Sequence, residues 1–124
     1  AYSDPSKDPA LEPLLAAAKG YRPLAILLVR EMARTLPSVA FRAEGSLIVV
    51  RDAAGRAVAA IEPRAKEIRL SLALAGEPPE HRHARGAPRG GPPHLDCTLI
   101  LDDARRIDAT LMSLVEASAH AVPT

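Results

Sequence analysis

The chain has 124 residues, the length of a single domain, and a core that can bury roughly two-thirds of its unfolded surface. Its net charge of +1 sets up no field towards nucleic acid or an anionic membrane, and Tyr2, Tyr21 and Phe41 are its only aromatics, too few for a carbohydrate platform or a base-stacking surface. Cys97 is the single cysteine, so no intrachain disulfide forms and a reducing compartment is expected; no apolar run approaches the ~20 residues of a membrane span, and no basic-then-apolar leader opens the chain.

Residues 1–9 read as a flexible tail, polar and broken by proline. The chain opens on Ala1, which leaves open both processing and excision from a longer protein. Residues 11–19 read as a short helix, with Pro13 confined to its first turn and Gly20 as its stop. Residues 21–36 form the first strong helix. Pro23 lies near its start, Leu24, Leu27, Leu28 and Met32 share a face, and Pro37 ends it. Residues 39–42 read as extended.

The stretch 46–74 reads as a meander of three strands. The β-branched run 47–50 comes first. Asp52-Ala53-Ala54-Gly55 follows, with aspartate and glycine where a type I turn uses them. Residues 57–61 return, and 62–66 form the next reversal around Pro63. Ile68, Leu70, Leu72 and Leu74 then alternate with Arg69, Ser71 and Ala73, the pattern of a strand with one buried and one wet face. A slip by one residue would bury Arg69, so the register is well specified.

Residues 76–93 are rich in proline and glycine with interspersed arginine and histidine, and read as one long loop. Residues 94–101 form a fourth strand. Asp102 or Asp103 caps a last helix over 103–119, with Ala104, Ile107, Leu111, Leu114 and Val115 as its stripe, and 121–124 is a second tail. The expected architecture is one α+β domain over 1–124. Its element order is α-α-β-β-β-loop-β-α, with a four-stranded, mainly antiparallel sheet and helices packed on one face.

Several pieces of that order coincide with a known pattern. They are Tyr21-Arg22-Pro23-Leu24, Leu36-Pro37-Ser38-Val39, Ser46-Leu47-Ile48-Val49-Val50, Ala59-Ala60-Ile61-Glu62-Pro63, Arg69-Leu70-Ser71-Leu72, Cys97-Thr98 and the helix after Asp102-Asp103-Ala104. On these the stretch 17–120 resembles a bacterial domain family of unknown function. That family forms the C-terminal half of small two-domain proteins and follows nuclease-like domains in some predicted transport proteins. Relatives often carry a lysine entering the first meander strand, where this chain has Glu44-Gly45. They often carry a histidine or a His-Trp pair near the fourth strand, where this chain has His94 before it and Leu99 within it. The resemblance implies the fold and a bacterial cytoplasmic setting, and no chemistry.

Candidate chemistry gathers in and beside the loop. His81, His83, His94, Asp96 and Cys97 are all metal-ligand types, but their spacing matches no zinc pattern and Arg82 places a cation between two of them. The plainer reading is two solvated histidines and a half-buried cysteine, and no metal or cofactor is expected. His81, Arg82, His83, Arg85 and Arg89, with Gly86, Gly90 and Gly91, are suited to an anion such as a phosphate or a nucleic-acid backbone. No P-loop spacing accompanies them, and Glu77 and Glu80 offset part of the charge. Asp102 and Asp103 read as caps, Cys97 has no fixed base in view, and Ser46 and Ser71 stand in no triad-like context, so an enzyme is not favoured.

The second sheet face, with Arg69, Ser71 and Ala73 beside Leu47, Val58 and Ala60, offers a modest patch for a partner. The segment 11–19 is a further docking element, and dimerisation by a sheet face or edge is the simplest way to cover such surface. The expected function is a non-catalytic binding or protein-interaction module whose partner is an unknown protein or a second copy. The alternative is a phosphate or nucleic-acid contact through residues 81–91.

Overall fold

The computed structural model of the chain describes residues 8–73, 84–85, 94–95 and 97–121. Two helices open it. α1 is Glu12–Ala16, with Pro13 in its first turn. α2 is Arg22–Thr35, with Pro23 in its first turn. A 3-10 turn, Lys19–Tyr21, joins them. The helical break falls at Lys19, which takes φ +51, rather than at Gly20. α2 buries Leu24, Ala25, Leu28, Val29, Met32 and Ala33. Leu27, expected on that face, is only half-buried. The Arg22 guanidinium pairs with Glu12 at 2.7 Å and ties the two helices together.

The sheet is wider than the four strands expected. Five full strands and a two-residue sixth are described: β1 Ala40–Glu44, β2 Leu47–Arg51, β3 Ala57–Pro63, β4 Ile68–Leu72, β5 Ala84–Arg85 and β6 Cys97–Leu101. Their spatial order is β1-β2-β3-β4-β6-β5, and each neighbouring pair is antiparallel. The stretch read as extended over 39–42 is a paired strand reaching Glu44. β5 lies inside the segment read as one irregular loop. The order is therefore α-α, then the strands, then the last helix, α3 (Ala109–Ala121).

Turn chemistry sets the register. Glu44 and Leu47 pair across Gly45-Ser46, and Gly45 at φ +65 holds the first central position, where a type II′ hairpin requires glycine. Between β2 and β3, Gly55 N donates to Asp52 O, and Asp52 Oδ1 accepts from the backbone N–H groups of Ala54 and Arg56. Gly55 closes this turn at φ +85. The next reversal falls later than expected. β3 runs through Pro63, which is registered opposite Ile68, and the turn closes with Arg64 N donating to Glu67 O. Pro63 lies beyond Ile61, the last β3 residue registered against β2, so its missing N–H costs the sheet no ladder bond.

Register also assigns the two faces. Val50, Ala59, Leu72 and Cys97 form one row, and Ile48, Ile61, Leu70 and Leu99 the next. All are buried, and with Leu11, Leu15, Leu28 and Met32 they belong to the core. The opposite face carries Val49, Ala60, Ser71 and Thr98 in one row. It is not the wet face expected. Val49 and Ala60 are each 1% exposed, Ser71 2% and Thr98 5%. Ser71 and Thr98 bond to each other at 2.9 Å, which satisfies hydroxyls that would otherwise be costly to bury. Leu47, Val58 and Ala73 are buried too, so they form no exposed patch, and Arg69 is half-buried. The second face is thus not wet: at its centre the sheet is buried on both sides. α1 packs against β3, and α3 against β3, β4 and α2. Among the described residues no helix is long and apolar enough to cross a membrane.

Candidate functional site

The segment singled out for its histidines and arginines begins just after β4 ends, and of it only Ala84–Arg85, strand β5, are described before His94. At this end β3 and β4 part. Their last registered pair is Ala59 with Leu72. The next rung would join Val58 O to Ala73 N, and the Ser118 hydroxyl of α3 stands in that place. It accepts from Ala73 N at 2.8 Å and donates to Val58 O at 2.7 Å. Ser118 is fully buried and shares the inner stripe of α3 with Leu111 and Val115 at helical spacing.

One residue further out, His94 Nε2 lies 2.7 Å from Ala57 O. A carbonyl oxygen only accepts, so Nε2–H is the donor and Nδ1 is the nitrogen left for another partner. Cys97, expected to be half-buried, is 3% exposed, opposite Leu72 and in the same row as Ala59. A thiol so enclosed packs as a small apolar group and is out of reach of a substrate. Among the described residues, no three of His, Cys, Asp and Glu stand together as a metal site. The proposed ligands His81, His83 and Asp96, and the proposed anion contacts His81, Arg82, His83 and Arg89, lie outside the described residues. Arg85 is placed in β5, registered opposite Thr98.

Beyond β6 the paired carboxylates separate into structural roles. Asp103 accepts from Arg105 N at 2.9 Å and caps the 3-10 turn Ala104–Arg106. The Arg105 guanidinium, hydrogen-bonded to the Asp103 carboxyl, and then the Arg105 backbone N–H bring its pKa down to about 2. Asp102 pairs with Arg106 at 3.2 Å. The last helix starts later than Asp103: Asp108 accepts from Leu111 N at 2.8 Å and caps α3. None of these carboxylates is held back for acid–base chemistry.

The other prominent surface is the edge made by β1. Ala40, Arg42, Ala43 and Glu44 are exposed, and Phe41 is turned into the core. Glu44 binds Arg51 through both carboxylate oxygens, each at 2.8 Å from a guanidinium nitrogen. Arg51 also donates to Gly55 O at 3.0 Å, so the two hairpin turns are linked. The Arg51 hydrogen bond lowers the Glu44 pKa, with Arg51 and then Arg42 adding attraction through space, so Glu44 is a fixed anion. At the opposite edge β5 has two residues, short enough to discourage strand addition.

Compared with known protein families, with curated proteins and with solved structures, the chain matches none. The site must therefore be judged on its own residues. Sequence reasoning did not single out Ser118, Asp108 or the Arg42/Glu44 pair. Asp108 was open to detection, because Asp108-Ala109-Thr110-Leu111 is as good a helix start as Asp103-Ala104. Ser118 offered no local signal.

Proposed function

We propose that the chain is a non-catalytic protein-interaction module, set in a bacterial cytoplasmic protein, that engages its partner along the open edge of β1. The observation that supports this is a five-residue edge strand with four exposed residues, at the end of a sheet whose centre is buried on both faces. Proteins commonly shorten or cover such an edge, because its outward N–H and C=O groups template a further strand. The polar groups elsewhere support the same reading. Ser118, His94, Asp52, Asp103 and Asp108 are committed to holding turns, caps and strand ends. The bacterial setting rests on the resemblance of the segments quoted above.

Amide and histidine-ring NMR spectra, recorded with zinc, phosphate, nucleotides and a short DNA duplex in turn, test this reading. The module should show no saturable shifts with any of them. Saturable shifts confined to residues 76–97, weakening steeply with salt, would replace it with the phosphate or nucleic-acid contact through 81–91. The positive arm is Ala43→Pro, which removes an edge donor. It should abolish the protein contact of the wild type while the far-UV spectrum stays unchanged.

A further inference from the structure

The hydrogen-bonding direction of each β1 residue follows from its hairpin. Glu44 and Leu47 flank a two-residue turn, so Glu44 O faces Leu47 N. Directions alternate along a strand, so Arg42 and Ala40 also face β2. Phe41 and Ala43 then point their N–H and C=O groups outwards. Among the described residues no strand pairs with that side of β1.

The side chains limit what can dock there. Arg42 and Glu44 lie two apart, on one face, with the outward-bonding Ala43 between them. Consider antiparallel pairing with an identical strand, centred on Ala43. The two Ala43 residues then form a hydrogen-bonded pair, and Phe41 meets Gly45 of the other copy. Each Arg42 comes opposite Glu44 of the other copy, in the closely spaced type of pair where side chains interact best. Sliding the copies to centre on Arg42 would set two arginines face to face, which is unfavourable. A lone edge charge repels a second copy, but this pair is self-complementary under a two-fold axis.

We infer that the partner of the β1 edge is a second copy of this chain, joined antiparallel about a two-fold axis through the Ala43 pair. The inference rests on reading the chain as an interaction module, and it names the partner. The product is one continuous sheet running through both copies. In this register only Arg42, Ala43 and Glu44 face strand residues of the other copy, which makes a small interface, so the dimer should be concentration-dependent rather than permanent.

Sedimentation equilibrium of the full chain, over roughly 10 µM to 1 mM, should show a mass rising from 13.1 kDa towards twice that value. Arg42→Glu and Glu44→Lys each replace two attractive pairs with two repulsive ones and should each weaken association by about tenfold. An equimolar mixture of the two variants should recover it. The glutamate introduced by Arg42→Glu then faces the lysine introduced by Glu44→Lys, and the remaining Arg42 faces the remaining Glu44. Glu44→Lys also loses the Arg51 pair, so its fold is checked by circular dichroism. If it fails to fold, Arg42→Glu carries the test alone. Oxidative cross-linking fixes the register: Ala43→Cys should link two copies, and linkage through Arg42→Cys instead would overturn the Ala43 axis. A mass fixed at 13.1 kDa throughout would overturn the dimer. In that case Ala43→Pro separates the two readings. If it still abolishes a contact with another protein, the interaction module stands without the dimer. If it changes no contact, both readings fall.

Discussion

The Ser118 hydroxyl stands where β3 and β4 would otherwise share their next hydrogen bond, and it is buried with both partners. Its donor and acceptor capacities match the two orphan groups of the parting strands. Ser118→Ala keeps the helix propensity and the volume nearly unchanged, but leaves Ala73 N–H and Val58 C=O without this bridge. The expected cost is about 1–3 kcal/mol, read as a lower urea midpoint at constant slope. A loss below ~0.5 kcal/mol would mean that other groups close the gap equally well. No pattern in the sequence announces this residue. It sits in an alanine-rich helical stretch, and its partners are 45 and 60 residues away. The Ser71–Thr98 pair is illegible for the same reason: each hydroxyl reads as a mark of a wet face until the other is placed across from it.

Single elements were legible where their signals are local. α2 falls almost on its predicted bounds because Pro23 and Pro37 punctuate an unbroken apolar stripe. The Asp52–Gly55 turn follows from two residues whose chemistry allows little else. β3 runs on past the point where proline as a breaker would end it, because Pro63 lies past the end of β2 and its missing N–H is harmless there. The apolar spacing of 103–119 runs through Ile107 and so predicts a single helix. There the backbone turns out of the helix at ψ +83, and Asp103 and Asp108 each cap their own segment. This division has a pH signature. The Asp103 pKa is about 2 against an ordinary 3.8, so the ionised carboxylate's contribution is complete above 3.8 and is lost as pH falls through 2. Both Asp103 and Arg105 reach solvent, so salt screens the pair and global stability should respond little. A carbon-13 titration of the Asp103 carboxyl should have its midpoint near 2, and Arg105→Ala should move it towards 3.8. A midpoint indifferent to Arg105→Ala would show that the backbone N–H alone holds the cap.

At the scale of the molecule, the class and the order of the main helices and the meander were legible, and the width of the sheet was not. Strand alternation reveals one apolar face. It cannot show that Val49, Ala60, Ser71 and Thr98 are also enclosed, because small residues look alike on a wet face and on a closely packed one. Nor does it show which strand is the edge, which depends on the spatial order β1-β2-β3-β4-β6-β5. That order predicts a gradient of protection. β3 and β4 have neighbours on both sides and are enclosed above and below, so Ile61 and Leu70 should exchange their amide hydrogens only through global unfolding. Phe41 and Ala43 present their N–H groups to the open side of β1, and in dilute protein they should exchange orders of magnitude faster than Ile61. Arg42 and Glu44, turned towards β2, should fall between. Raising the protein concentration should slow Phe41 and Ala43 selectively if a second copy covers the edge. If those two amides were as protected as Ile61 at high dilution, some other part of the chain would already occupy the edge. β1 would then be an interior strand and not a docking surface.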